Sequence, residues 1–156
     1  MSKADTSNWA DFTRSNYRRL LGMAKASYEI VPVAEFRVRP QLALWRHDVD
    51  ASPQSALAMA CIEQEQGVRA TYYFNPKSEF YNLLESAVSD IACKIAAMGH
   101  EVGLHFDAAS ADLSDSVRLQ QALRAERRIF QELLGIDVRS FSFHNPSPAT
   151  KPFADA

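Results

Sequence analysis

The chain has 156 residues, 47% of them hydrophobic, and a formal net charge of −2. This length suits one domain with a substantial core, and the near-neutral charge provides no basic surface that would favour nucleic acid. No stretch approaches the roughly 18 apolar residues that a transmembrane helix requires. Because the first residues lack the apolar core of a secretory signal and both cysteines fall inside predicted helices, we expect a cytoplasmic protein.

Hydrophobic periodicity predicts a helical lead-in followed by alternating strands and helices. Residues 1–40 form the predicted lead-in, with a helix over about 11–26, and residues 41–156 form the α/β domain, all within one compact unit. Three glycines each close a predicted helix and open a β-rich segment, as left-handed C-caps do; they are Gly67, Gly99 and Gly135. The predicted strands cover residues 42–45, 68–74, 100–106 and 136–143.

The strict alternation of strand and helix predicts a parallel sheet, either doubly wound or curled into a barrel. A closed eight-stranded barrel takes about 250 residues, and this chain has four clear strands before residues 146–148. We therefore expect a sheet that is incomplete toward the C-terminus. Its last strand, 138–143, would leave an unpaired edge, which favours a homo-oligomer formed through that edge.

An acidic cluster, RHDVD at residues 46–50, follows the apolar run 42–45, which predicts a buried strand. Carboxylates spaced by two on a strand point to the same side, so Asp48 and Asp50 are expected to share one volume at the strand's exit. Burying two like charges is unfavourable unless a cation or a shared proton relieves the repulsion. The pair alone is compatible with a functional site or with a polar loop at the start of the next helix.

Strand parity adds two histidines to the same end of the sheet. On the third predicted strand His105 shares a face with Gly103 and Asp107, and on the fourth His144 shares a face with Ser142. Ligands gather at the carboxyl ends of the strands in both candidate architectures. Carboxylates and imidazoles at one mouth suit a divalent metal such as zinc, with an open coordination position.

Four segments in order resemble the polysaccharide deacetylase superfamily, the metal-dependent carbohydrate esterases that include chitin and peptidoglycan deacetylases. The resemblance is strongest to the branch with a His-Asp-Val-Asp first motif, and it covers most of residues 42–146. Each motif alone is weak, but four in the right order are fairly specific. The matching segments are RHDVD at 46–50, GVRATYYF at 67–74, GHEVGLH at 99–105 and SFH at 142–144.

The resemblance implies a partial or distorted (β/α) barrel and the hydrolysis of an N-acetyl group on a sugar or glycan. It makes Asp48 the catalytic base, Asp50 a metal ligand and His105 the first histidine of the metal motif. The metal lowers the pKa of its bound water toward about 7 and polarises the amide oxygen, while the base takes a proton from the attacking water. Arg46 has the parity of the aspartates and is expected to hold Asp48 ionised and oriented.

The sequence departs from the family's pattern at one ligand. Many members carry a second metal histidine four positions after the first, and that position here is Ala109. Asp107 or His144 could replace it, and strand parity favours His144 as third ligand or as general acid. We assign His144 to the metal, which leaves the acid that protonates the departing amine unassigned.

The segment that follows the second predicted strand is expected to lie at the same carboxyl end of the sheet as the acidic cluster. Asn75 and Lys77 are candidate substrate contacts there by position alone. The aromatic residues 72–74 fit a β-core, and a ring at the strand's end that stacks on a sugar is the less favoured alternative.

Other polar residues have structural interpretations. His47 has the opposite parity to the aspartates and is expected against the outer layer of the sheet. His100 is expected to satisfy carbonyls at a helix end, and Glu101 to be a charge at the start of a strand. Charges on the last predicted helix, Glu126 among them, indicate a solvated face.

The leading hypothesis is a cytoplasmic metal-dependent deacetylase, with zinc as the first candidate metal, that acts on an N-acetylated sugar such as a precursor of a surface polysaccharide. The alternative is a noncatalytic carbohydrate-binding or assembly module that retains the fold. A metal phosphoesterase is less favoured, because the sequence has no further His/Asp cluster for a two-metal site.

Overall fold

Four parallel strands form the main sheet of the computed structural model, which describes residues 9–111, 115–148 and 150–154. The main sheet has the order β3-β4-β5-β6, and two short parallel strands form a separate pair. The strands are β1 Glu29–Val31, β2 Leu42–Leu44, β3 Arg46–Val49, β4 Thr71–Phe74, β5 Glu101–Asp107 and β6 Phe141–His144. The α-helices are α1 Arg14–Ser27, α2 Pro53–Glu65, α3 Ser86–Ala97, α4 Ser116–Leu134 and α5 Lys151–Ala154. Short 3-10 turns cover Trp9–Phe12, Val33–Glu35 and Ala108–Ser110. Within the described ranges every helix is too short or too polar to cross a membrane.

Helices α2, α3 and α4 connect successive strands of the main sheet, so that all four strands run in the same direction. The sheet is curled into a half-barrel with helices packed against it. The predicted parallel α/β fold and partial barrel are confirmed. Strand β6 lies at one edge of this sheet, and the pairing of that edge with a second copy stays a prediction.

The caps follow the sequence closely. Gly67, Gly99 and Gly135 have φ values of 66°, 91° and 64°, as the predicted left-handed C-caps require. Helix α2 begins at Pro53, and the Ser52 hydroxyl at its N-cap accepts a hydrogen bond from the Ser55 amide at 3.1 Å. These local signals therefore place the helix ends correctly.

The first predicted strand is wrong in its bounds and environment. Residues 42–44 pair with Glu29–Val31 in the small sheet and are partly exposed, whereas Arg46–Val49 is the first strand of the main sheet. The acidic cluster therefore begins inside the strand rather than after it. The apolar run 42–45 has the composition of a core strand, but composition does not show which strand it pairs with. The domain boundary at 40/41 stays a prediction.

The two faces of the main sheet differ sharply in polarity. The outer face packs on the helices through buried apolar side chains, which are Tyr72, Phe74, Val102, Leu104 and Phe106. Polar side chains occupy the concave inner face, namely Asp48, Thr71, Glu101, His105, Ser140 and Ser142. Because polar residues alternate with core residues along each strand, the inner face is available for chemistry.

Glu101 is a buried acceptor rather than the simple charge that the sequence suggested. Its carboxylate accepts hydrogen bonds from the Ala34 amide at 2.9 Å, the Thr71 hydroxyl at 2.8 Å and the Ser140 hydroxyl at 2.7 Å. These donors come from separate segments of the chain, so the sequence pattern could not bring them together. Glu101 therefore joins the amino ends of β4 and β5 to the turn after β1.

Glu126 does not belong to the solvated face predicted for α4. It is buried, and its carboxylate lies 2.7 Å from the Lys77 ammonium. Burial raises the pKa of Glu126, and Lys77 opposes that shift. The charge alternation along α4 could not show that the loop after β4 covers this position.

A buried polar cluster joins α1 to the outer face of the sheet. The Glu63 carboxylate accepts from the Tyr72 hydroxyl at 2.6 Å, pairs with His47 at 2.6 Å and accepts from the Tyr17 hydroxyl. His100 lies beside it, where it accepts from the Ala70 amide and contacts the Ala60 carbonyl, both at 3.1 Å. The structural role expected for His47 is confirmed. His100 is also structural, but it contacts the Ala70 amide and a carbonyl within α2 rather than the carbonyls at a helix end that the sequence predicted.

Candidate metal centre

Three metal-ligating side chains meet at the carboxyl end of the main sheet. Asp50 follows β3, His105 lies in β5 and His144 ends β6. The register aligns His105 with Ser142 and Asp107 with His144 on the neighbouring strand. Strands β5 and β6 therefore bring two residues that are distant in sequence to one point.

The ligand atoms form a nearly equilateral triangle. Asp50 Oδ1 lies 3.2 Å from His105 Nε2 and 3.2 Å from His144 Nδ1, and the two nitrogens are 3.1 Å apart. Ligands of a tetrahedral zinc ion at about 2.0–2.1 Å lie about 3.3–3.4 Å from one another. Two imidazoles and a carboxylate are also the donor types that zinc accepts. The donor set and its spacing therefore fit a divalent metal of this kind.

The His105 ring is held by a hydroxyl on the neighbouring strand. Its Nδ1 lies 2.8 Å from Ser142 Oγ, and the Ser142 hydroxyl donates to Asp48 Oδ1 at 3.3 Å. We infer that Nδ1 carries the proton and donates to Ser142, which leaves Nε2 free for a metal. Burial lowers the pKa of the His105 imidazole, although Asp48 and Asp50 oppose the shift. The net lowering favours the neutral imidazole, which is the form that binds a metal.

Asp48 is joined to this triangle and also to an arginine. Arg46 Nη2 lies 2.6 Å from Asp48 Oδ2, and the Ser142 hydroxyl approaches the other oxygen. Two donors on separate strands thus determine the direction of the carboxylate. The structure brings Arg46 and Asp48 together as the sequence predicted.

His144 rather than Asp107 completes the triangle with Asp50 and His105, and its role as a metal ligand stays a prediction. Asp107 instead accepts a hydrogen bond from the Ala109 amide at 2.9 Å and caps the turn that follows β5. His144 Nε2 lies 2.9 Å from the Asn145 side-chain amide. Asn145 has a left-handed backbone with φ 47°.

A cavity of about 380 Å³ opens beside Asp50 and His144. Asn75 and Lys77 both line it, but each also has a structural partner. Asn75 Oδ1 accepts from the Lys77 amide at 2.8 Å, and the Lys77 ammonium pairs with Glu126. The exposed ring of Phe80 forms another part of the wall.

Ser142 and Asn145 are the site residues whose contacts sequence reasoning did not identify. The parity of β6 already placed Ser142 on the correct face. Its contacts with His105 and Asp48 depend on the register between β5 and β6, which the pattern of one strand does not contain.

Comparison with known proteins gives structural matches only. No protein-family model matches the sequence, and no curated protein matches it significantly. IcaB from Ammonifex degensii is 16% identical, with a TM-score of 0.63 over 92% of this chain and 72% of IcaB. The Xyl-CE4 domain of a multidomain xylanase from the hindgut metagenome of Trinervitermes trinervoides is 15% identical, with a TM-score of 0.49 over 79% of this chain and 52% of that domain. A family 4 acetyl xylan esterase from Clostridium thermocellum, in complex with a cobalt ion, is 16% identical, with a TM-score of 0.43 over 63% of this chain and 46% of the esterase. The chain therefore shares its α/β fold with IcaB.

Proposed function

We propose that this chain is a metal-dependent hydrolase that removes N-acetyl groups from a sugar or a polysaccharide precursor. One observation carries the proposal, which is the triangle of Asp50, His105 and His144 with Asp48 joined to it through Ser142. A set of ligands with a directed carboxylate beside it suits the hydrolysis of an amide by a metal-activated water. The cytoplasmic location and the surface-polysaccharide precursor stay predictions.

Asp50 Oδ1, His105 Nε2 and His144 Nδ1 would hold the metal, with zinc as the first candidate. A bound zinc ion lowers the pKa of water and polarises a carbonyl oxygen. The cavity beside Asp50 and His144 provides the open side of this site.

Asp48 is the proposed general base. Its carboxylate takes a proton from the water that attacks the acetyl carbon. The carbon–nitrogen bond then breaks as the nitrogen takes up a proton, from Asp48 or from solvent, which gives acetate and an amine and returns Asp48 to its ionised form. Arg46 and the Ser142 hydroxyl hold the two carboxylate oxygens in place, so the base is oriented before the substrate binds.

Asn75 and Lys77 are proposed to contact the substrate from the cavity wall. The pairing of Lys77 with the buried Glu126 supports a fixed position for this ammonium group. An ordered cation at the wall can donate hydrogen bonds to sugar oxygens.

The first test is acetate release from acetylated glucosamine oligomers by the zinc-loaded chain. Asp48→Asn should reduce the rate by about 100-fold or more, the usual contribution of a general base. Zinc binding, measured by titration against a chromophoric chelator, should remain in this variant because Asp48 is not a ligand. Equal release by the wild type and Asp48→Asn would exclude Asp48 as the base.

The same measurements separate a hydrolase from a noncatalytic carbohydrate-binding module. The binding module would be supported if the wild type binds acetylated oligomers but takes up no zinc. In that case His105→Ala should have the same negligible metal affinity as the wild type. A two-metal phosphoesterase has less support, since the described residues contain one group of three metal-ligating side chains.

A further inference from the structure

A tyrosine on the inner face of β4 lies beneath the Arg46–Asp48 pair. The Arg46 guanidinium carbon is 5.3 Å from the centroid of the Tyr73 ring, which is within the range of a cation–π contact. Tyr73 is buried, whereas about half of the Arg46 side chain is exposed. The ring therefore offers a fixed surface to a side chain that otherwise has many rotamers.

The Tyr73 ring is itself held at its far end. Its hydroxyl lies 2.9 Å from Ser140 Oγ, and the Ser140 hydroxyl donates to Glu101 Oε1 at 2.7 Å. This anchor is on the β6 side of the sheet, away from Arg46. The ring is thus tied to the sheet independently of the pair that it supports.

A glycine on the neighbouring strand makes room for the ring. Gly103 is aligned with Tyr73 in the β4–β5 register. A Cβ atom at Gly103 would lie 2.4 Å and 2.5 Å from two ring carbons of Tyr73, and 3.1 Å from the Ser140 carbonyl oxygen. Because real Cβ contacts are longer, any larger residue would displace the ring. Gly103 lies within β5 and lacks the positive φ of the three C-cap glycines, so its small size here serves packing rather than a turn.

We propose that Tyr73, seated on Gly103, is a positioning residue that holds the Arg46 guanidinium and thereby aims the Asp48 carboxylate at the metal centre. The inference rests on the proposed function, since it assigns a role in orienting the proposed base. Tyr73 touches none of the three metal ligands in the described contacts. Its removal should therefore change the rate of the chemical step without changing metal affinity or substrate affinity.

The test is a double-mutant cycle between Tyr73 and Arg46. In the zinc-loaded protein, Tyr73→Leu should reduce kcat for acetate release by about 10- to 100-fold, with KM and zinc affinity unchanged. Tyr73→Phe keeps the ring face and should restore most of the rate. In an Arg46→Met background, Tyr73→Leu should cause little further loss, because the group through which Tyr73 acts is already absent.

A spectroscopic readout tests the same contact without activity. The Arg46 Nε–H signal, assigned by its loss in Arg46→Lys, should be shifted by the Tyr73 ring current in the wild type. Both Tyr73→Leu and Gly103→Ala should remove that shift. Tyr72→Leu is the matched control, because Tyr72 is the neighbouring aromatic on the opposite face and contacts Glu63 instead.

The outcomes distinguish the two proposals. A folded, zinc-loaded wild type that releases no acetate contradicts the proposed function. An active wild type in which Tyr73→Leu and Arg46→Met have additive effects, or in which the Arg46 signal is the same in Tyr73→Leu, contradicts the positioning role alone.

Discussion

Ser142 contributes one hydroxyl to the site, yet that hydroxyl faces both the proposed base and a proposed metal ligand. It lies 2.8 Å from His105 Nδ1 and donates to Asp48 at 3.3 Å. A partner of this kind fixes the tautomer and the orientation of a metal-binding imidazole. Removal of the hydroxyl should therefore weaken metal binding.

We predict that Ser142→Ala weakens zinc binding by about 10- to 100-fold, the usual cost of losing such a partner. The dissociation constant can be measured by competition with a chromophoric chelator. Ser142→Thr keeps the hydroxyl and should remain close to the wild type, and Ser140→Ala, on the same face of the chain but away from His105, should leave the constant unchanged. Unaltered zinc affinity in Ser142→Ala would remove Ser142 from the metal centre.

At the scale of elements, Glu101 connects segments that backbone pairing alone does not join. The turn Val33–Glu35 is held to the sheet through the Ala34 amide and the Val33 amide, which donate to Glu101 and to the Thr71 hydroxyl. The Ser140 hydroxyl brings the start of β6 to the same carboxylate. The amino end of the inner face thus has a polar core of its own.

We predict that Glu101→Leu lowers the free energy of unfolding by about 3 kcal/mol or more, because three donors lose their acceptor in a mostly buried place. Glu101→Gln keeps one acceptor oxygen and should cost only about 1 kcal/mol. Urea denaturation of the two variants measures the difference. Equal losses in the two variants would show that the carboxylate network adds nothing beyond packing.

At the scale of the whole molecule, the cluster around Glu63 fastens the N-terminal helix to the sheet and makes stability depend on pH. Burial raises the pKa of Glu63, but the hydrogen bonds from His47, Tyr17 and Tyr72 and the charge interaction with His47 lower it by more. The pKa of Glu63 therefore lies below its ordinary value. Burial lowers the pKa of His100 below its ordinary value of 6.5, partly opposed by Glu63. The stabilising forms are therefore ionised Glu63 and neutral His100.

The sign of the pH dependence follows from proton binding. Below pH 6.5, His100 takes up a proton in the unfolded chain but stays neutral in the folded protein, where its pKa is lower. The free energy of unfolding therefore declines as the pH falls from 6.5 toward the His100 pKa of the folded protein. The contribution of Glu63 is lost in a separate window, below 4.5. We predict that the urea midpoint of the wild type falls between about pH 7.5 and about pH 5.5.

His100→Gln isolates this contribution, since glutamine can still accept from the Ala70 amide and donate to the Ala60 carbonyl but does not titrate. Its urea midpoint should change less than that of the wild type over the same pH range. His47 is present in both proteins, so the difference between them reports His100. Parallel pH profiles would contradict the neutral, buried assignment.

Local signals predicted the elements well. The three C-cap glycines, the Ser52–Pro53 helix start and the alternation of strand and helix are set by neighbours within a few residues. The division of Leu42–Leu44 from Arg46–Val49, and the burial of Glu101 and Glu126, were missed. Each of these depends on a partner more than ten residues away, and a pattern along one strand or helix does not specify that partner.

The sequence by itself determined the parallel α/β fold, the face of each strand and the residue types that gather at the carboxyl edge. It did so because strand parity and helix periodicity are properties of consecutive residues. Only the tertiary structure decided that His144 rather than Asp107 joins Asp50 and His105, that Ser142 links His105 to Asp48, and that Gly103 seats Tyr73 under Arg46. These contacts are set by the register between neighbouring strands and by the curvature of the sheet, which arise when the whole chain packs.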